Sequence, residues 1–106
     1  VAFSTTADLV LAHSQNSMRI FICSIVMVAA GAESVSLVEG TGSACGTSLR
    51  GIIGGFGGTM SLAANGGFSS ISPFPWVASA VAGNNVCLDK SGSGNVSGVI
   101  TYRGAL

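Results

Sequence analysis

The stretch Arg19-Ile20-Phe21-Ile22-Cys23-Ser24-Ile25-Val26-Met27-Val28 is the most apolar part of this 106-residue chain, and its reading decides the fold. Isoleucine and valine branch at Cβ, which restricts χ1 and favours extended backbone. No sustained spacing of three and four runs through the segment, so it reads as a strand rather than a helix. Odd and even positions alike are apolar. That pattern fits a central strand with one face on the core and the other covered by a neighbouring subunit.

The flanking sequence continues in the same way. Short candidate strands fall at 8–13, 34–39, 59–64, 67–71, 85–89 and 95–102 in addition to 19–28, with turn residues between most of them. Alternation is clearest in Ser34-Val35-Ser36-Leu37, in Val86-Cys87-Leu88-Asp89, and from Val96 to Tyr102, where Val96, Gly98, Ile100 and Tyr102 share one face. Gly, Ser, Thr and Val dominate and are poor helix formers. The length suits one domain, with about two-thirds of the unfolded surface buried on folding. The expected architecture is all-β: a single-domain β-sandwich, jelly-roll-like, spanning 1–106.

Two stretches interrupt the pattern. Residues 40–58 hold eight glycines in 19 residues, including Gly54-Gly55-Phe56-Gly57-Gly58, and read as a long permissive loop. In Ser72-Pro73-Phe74-Pro75-Trp76 the prolines disfavour a central strand while the rings supply contact area. Phe56, Phe74 and Trp76 are therefore candidate packing or interface anchors, either for the chain's own core or for a partner.

Charge is scarce. Asp, Glu, Lys and Arg make up 8% of the chain and cancel to zero net charge, against about 25% in a typical soluble domain. The eight charges are Asp8, Arg19, Glu33, Glu39, Arg50, Asp89, Lys90 and Arg103, while 16 serines, six threonines and five asparagines supply most of the hydration. A surface with near-zero net charge favours association, and lone charges are costly to desolvate in a contact. Much of the exterior is thus expected to meet sister subunits or a host shell; the alternative is a neutral, Ser- and Gly-rich secreted domain. No Lys/Arg cluster offers phosphate a partner, so nucleic acid is not expected.

The apolar run 20–30 is too short for a membrane helix of about 20 residues. With Ala30-Gly31-Ala32 it imitates a signal peptide, but cleavage there would remove a core strand. Cys23, Cys45 and Cys87 lack the closely spaced pairs of a local zinc motif, and no metal or other cofactor is expected. Cys45 with Cys87 is the preferred disulfide: Cys45 lies in a Gly-rich segment with little else to hold it, whereas Cys23 reads as a buried thiol inside the apolar strand. Three reduced thiols are the other possibility.

Catalytic signals are weak. His13 is the one histidine. A Ser-His-acid set can be drawn from anywhere in a chain, but no serine here lies in Gly-x-Ser-x-Gly. Glu33 and Glu39 share one face of an extended strand about 20 Å apart, too far for paired acid–base work. The glycines form neither a Walker loop nor a dinucleotide fingerprint. The chain is expected not to be an enzyme.

In order, the chain carries Arg19-Ile20-Phe21-Ile22-Cys23-Ser24-Ile25, Ala30-Gly31-Ala32, Val35-Ser36-Leu37, then Glu39-Gly40-Thr41-Gly42 with Cys45-Gly46-Thr47. A second block follows: Leu62-Ala63-Ala64-Asn65-Gly66-Gly67-Phe68, Pro75-Trp76, Ala82-Gly83, Val86-Cys87-Leu88, and Gly94-Asn95-Val96-Ser97-Gly98-Val99-Ile100-Thr101-Tyr102. This succession, covering most of the chain, resembles small bacteriophage virion structural proteins. The resemblance implies a jelly-roll-like sandwich that decorates or cements a capsid, or serves as a fibre or tail module, commonly as a homotrimer. It further implies residence on the phage particle surface and contact with the major capsid protein or another virion protein. It supports the Cys45–Cys87 pairing and carries over no catalytic residue, while the 54–58 glycine run is richer than the group suggests. The competing function is a receptor- or carbohydrate-binding module of a fibre or tail, with Phe74 and Trp76 as the stacking platform.

Overall fold

The computed structural model describes residues 2–15, 17–53, 60–72, 74–75, 77–91 and 94–105, the side chains of 43 and 47–49 excepted. Among these residues there are ten strands: β1 (Ala2–Thr5), β2 (Leu9–Ala12), β3 (Arg19–Ala29), β4 (Glu33–Thr41), β5 (Thr47–Ile53), β6 (Met60–Leu62), β7 (Gly67–Ile71), β8 (Val77–Ala78), β9 (Asn85–Ser91) and β10 (Val96–Ala105). A 3₁₀ turn at Ser43–Cys45 is the one helical element among the described residues.

The strands form two five-stranded antiparallel sheets. One runs β1-β10-β3-β7 with β8 also on β3; the other runs β2-β9-β4-β5 with β6 also on β4. The first four strands pair with later ones in reverse order: β1 with β10, β2 with β9, β3 with β7 and β8, β4 with β5 and β6. The chain is thus one long antiparallel hairpin, rolled so that successive strand pairs fall in opposite sheets. The β10–β3 and β9–β4 ladders close the roll. This is a jelly-roll sandwich.

Period-two alternation explains the core. Val35 and Leu37 of β4, Val86 and Leu88 of β9, and Val96 and Ile100 of β10 all join one buried cluster. β3 contributes Ile20, Ile22, Ile25, Met27 and Ala29 to it, and each large side chain buried this way contributes about 1.5–3 kcal/mol. The change from even to odd inward positions has a definite origin: Thr101 pairs with Ser24 but Tyr102 pairs with Ile22, leaving Cys23 as an extra residue in the ladder. Such a bulge shifts the side-chain phase by one.

Two expectations need correction. Residues 40–58 are not one open loop, because β5 pairs antiparallel with β4 from Leu37↔Ile53 to Thr41↔Thr47, following the turn at Ser43–Cys45. Glycine richness hid this strand, which is stabilised by its ladder partner rather than by its own propensity. Cys23 is not a core thiol either. It is half-buried, since the bulge takes it out of the inward phase.

β1, β5 and β8 lie outside the strands read from sequence, and 67–71 matches β7. The remaining strands keep their places with ends moved by up to three residues.

Candidate functional site

The inward positions of β4 and β9 carry more than apolar groups. Glu33 and Glu39 share the parity of Val35 and Leu37, and Lys90 shares that of Val86 and Leu88; all three charged residues are buried. They sit towards the two ends of β4 and close the sandwich interior there. At one end Lys90 Nζ lies 2.6 Å from Glu33 Oε1 and also donates to the Thr6 carbonyl at 3.3 Å, while Gly94 N donates to Glu33 Oε2 at 3.2 Å. The Lys90 hydrogen bond holds the Glu33 carboxyl below its usual range, against the opposing effect of burial and with help from the Gly94 amide.

At the other end Glu39 Oε2 accepts from Ala80 N at 2.6 Å, and Oε1 accepts from Val81 N at 3.0 Å and Asn84 Nδ2 at 3.1 Å. One carboxyl therefore organises the 79–84 connection. That connection is also tied to β3, with Ser79 Oγ accepting from Ile20 N and Ser79 O from Arg19 Nε.

The disulfide lies on the outer face of the second sheet. Cys87 points outward from β9 and is bonded to Cys45, with Cα atoms 6.1 Å apart and 42 positions between them in sequence. Val38, Cys45 and Cys87 form a small second core, packed by Val10. The Ser43–Cys45 turn is thereby pinned over the sheet as a flap. Ala44 (φ 49°) and Cys45 (φ 59°) occupy the left-handed region, a conformation that costs an L-residue about 1–2 kcal/mol.

The outer face of the first sheet is different. Ala2, Val99, Val26 and Ser69 form one row across four strands, and Ser4, Ser97, Val28 and Gly67 form the next. Thr101, Ser24 and Ile71 make a third row, then Arg103, Phe21 and Ala78 a fourth. Val26, Val28 and Val99 are 36–47% exposed and Ile71 is 79% exposed. Among the described residues, charge enters this face only at Arg103 and at Arg19, which lies over the Phe21 ring at 5.4 Å. The first three of these rows carry no charge and set exposed valine and isoleucine among serine and threonine, and exposed apolar side chains grouped in this way mark a contact surface more often than isolated ones do.

A cleft of about 540 Å³ opens beside β10, lined by His13, Ser14, Gln15 and Met18 on one side and by Ile100 to Gly104 of β10 on the other, with Ile20 completing the lining. Its first wall is held in place: Ser14 N donates to Asn85 Oδ1, Ser14 Oγ donates to Met18 O, and Met18 N donates to Gln15 O.

Of the residues picked from sequence, Cys45 and Cys87 come together, and Phe74 is 73% exposed and so serves no internal core. Phe56 and Trp76 lie outside the described residues. His13 is exposed beside the cleft. Among the described residues no group of three His, Cys, Asp or Glu side chains is placed to hold a metal ion. Sequence reading missed the roles of Glu33, Glu39 and Lys90, although part of the signal was available: they share the parity of Val35, Leu37, Val86 and Leu88, while Ser34, Ser36, Cys87 and Asp89 take the opposite face.

No family model matches the chain, no curated protein matches its sequence, and no solved structure matches its fold.

Proposed function

We propose that the chain is a non-enzymatic structural subunit whose copies meet through the outer face of the β1-β10-β3-β7 sheet, and that it serves as a decoration or cement subunit on a bacteriophage particle. The observation that carries this reading is the run of uncharged rows with exposed Val26, Val28, Val99 and Ile71. Cores of protein interfaces are depleted in charge and enriched in apolar groups, and burying such a face is favourable by roughly 25 cal/mol per Å² of apolar surface. Withdrawal of three of the eight charges to the sandwich ends leaves still fewer outside to resist contact. The ordered motifs resembling phage virion proteins support the particle as the setting, a homotrimer as the unit, and the major capsid protein as the neighbour.

Sedimentation of the purified chain tests the self-contact. The wild type should associate with rising concentration, and Val26→Lys with Val99→Lys should make it monomeric, because each lysine would have to be desolvated in the contact. Electron microscopy of particles should locate the chain on the head. A wild type that stays monomeric and is missing from particles would remove this reading.

Exposed Phe74 favours a second reading, a glycan- or receptor-binding module of a fibre or tail. There, glycan-array binding would be lost in Phe74→Ala while association is retained.

A further inference from the structure

β7 is an edge strand in the middle of the chain, preceded by β6 and followed by β8. It pairs with β3 from Val28↔Gly67 to Ser24↔Ile71 without a register shift. Among the described residues no strand pairs with its other side. Ala29 shows how the backbone groups divide: its N–H donates to Gly66 O and its C=O accepts from Asn65 N, so Ala29 faces this side of β3. Alternate residues of an antiparallel ladder direct both groups to opposite sides. Met27 and Ile25 therefore face Phe68 and Ser70, and Gly67, Ser69 and Ile71 direct their N–H and C=O groups away from β3.

The usual protection of such an edge is missing from β7. Natural edges carry lysine, proline, bulges or inward-pointing charges. Gly67–Ile71 holds none of these, and the sequence has no charged residue from 51 to 88. On the outer face, Ile71 stands 79% exposed at one end of the strand. At the other end Gly67 brings no side chain; a Cβ there would lie 3.4 Å from Val28 Cγ2, and Val28 is left 46% exposed. One end is a knob and the other a hole.

We propose that β7 pairs antiparallel with β7 of a second copy about a two-fold axis at Ser69. In that register Ser69 faces Ser69 and each Ile71 faces Gly67 of the other copy, so every outward-directed backbone group of 67, 69 and 71 meets a partner. Each Ile71 leans across the empty Gly67 position towards Val28, adding cross-strand contact to the backbone bonds. No charge opposes the approach. The axis is perpendicular to the sheet, so both outer faces stay on one side and the surface with exposed Val26, Val28 and Val99 is doubled. Five residues a side fall well short of the roughly 20–30 of a stable interface. The pairing therefore rests on the outer-face contact proposed above, and links copies which that contact has already brought to high effective concentration.

Sedimentation velocity across a concentration series, with residue-resolved hydrogen exchange, tests the pairing. The wild type should grow past the small unit formed through the outer face. As it grows, the amides of Gly67, Ser69 and Ile71 should gain protection, while those of Phe68 and Ser70 are protected throughout. Ile71→Lys should stop growth at the small unit, because the ammonium would have to be desolvated in the contact. Ser69→Pro removes an outward N–H but no bond within the chain, a change that edge strands tolerate. It too should stop growth at the small unit, with thermal unfolding nearly unchanged. The pairing is overturned if either variant, still folded, grows like the wild type, if the wild type itself stops at the small unit, or if growth adds no protection at 67, 69 and 71. Those results leave the outer-face contact standing. A wild type that stays monomeric removes that contact and the pairing with it.

Discussion

Lys90 and Glu33 meet 2.6 Å apart inside one end of the sandwich, on side chains only 1% and 4% exposed. They come from β9 and β4, which are adjacent in the second sheet. A buried pair of this kind is weak evidence for net stability, since its desolvation cost opposes its attraction. Breaking it is another matter, because one partner is left without compensation.

The pair predicts an acid dependence. Glu33 has a lowered carboxyl pKa in the folded chain, so its contribution is present above the ordinary carboxylate range, where it is ionised in both states. The contribution is lost as pH falls through the folded-state value, where native Glu33 takes up its proton. Stability measured by denaturant should decline across that acidic interval, and Glu33→Gln should flatten the decline. An unchanged pH profile in Glu33→Gln would assign the acid sensitivity to other groups.

Glu39 holds the 79–84 connection with both carboxyl oxygens. In Glu39→Gln one oxygen becomes an amide nitrogen, which cannot accept the N–H bonds of Ala80 or Val81. The expected loss is about 1.5–3 kcal/mol, the scale of a hydrogen bond to a charged group. Hydrogen exchange should accelerate at Ala80 and Val81 more than in the centre of β9.

Reduction of Cys45–Cys87 releases the flap and opens a loop of 42 residues. Chain entropy sets the stabilisation from this crosslink at about 4 kcal/mol. Denaturation with and without reductant should differ by about that amount, and Cys87→Ser should remove the difference. Cys23→Ser should preserve it.

Gly98 is a packing requirement. A Cβ placed there would collide with the Val26 carbonyl oxygen and approach Met27 Cα at 2.8 Å, both backbone atoms of β3. Neither neighbour can rotate away. Gly98→Ala should therefore cost about 3 kcal/mol, the upper part of the usual overpacking range. Gly31→Ala, where nothing lies within 4 Å, should leave thermal unfolding nearly unchanged.

The sandwich was legible in the sequence because strands with one face buried have a local signature. Val35/Leu37, Val86/Leu88 and Val96/Ile100/Tyr102 each declare their inward parity two residues at a time; Glu39 shares it, and so do Glu33 and Lys90 one residue beyond the strands read at 34–39 and 85–89, yet only the structure showed all three to be buried. What parity could not reveal was the partner of each buried charge, since Glu33 meets Lys90 across 57 positions of sequence and Glu39 meets Asn84 across 45.

By itself, then, the sequence determined the β class, the dominant strands and their faces, and the scarcity of charge that points towards association. The tertiary structure alone decided that Ala2–Thr5, Thr47–Ile53 and Val77–Ala78 are strands and that Cys23 sits at a bulge. The reason is physical. Alternation of side chains is a property of one segment, whereas a weakly apolar strand or a bulge exists only through the hydrogen-bonding partner that another part of the chain supplies.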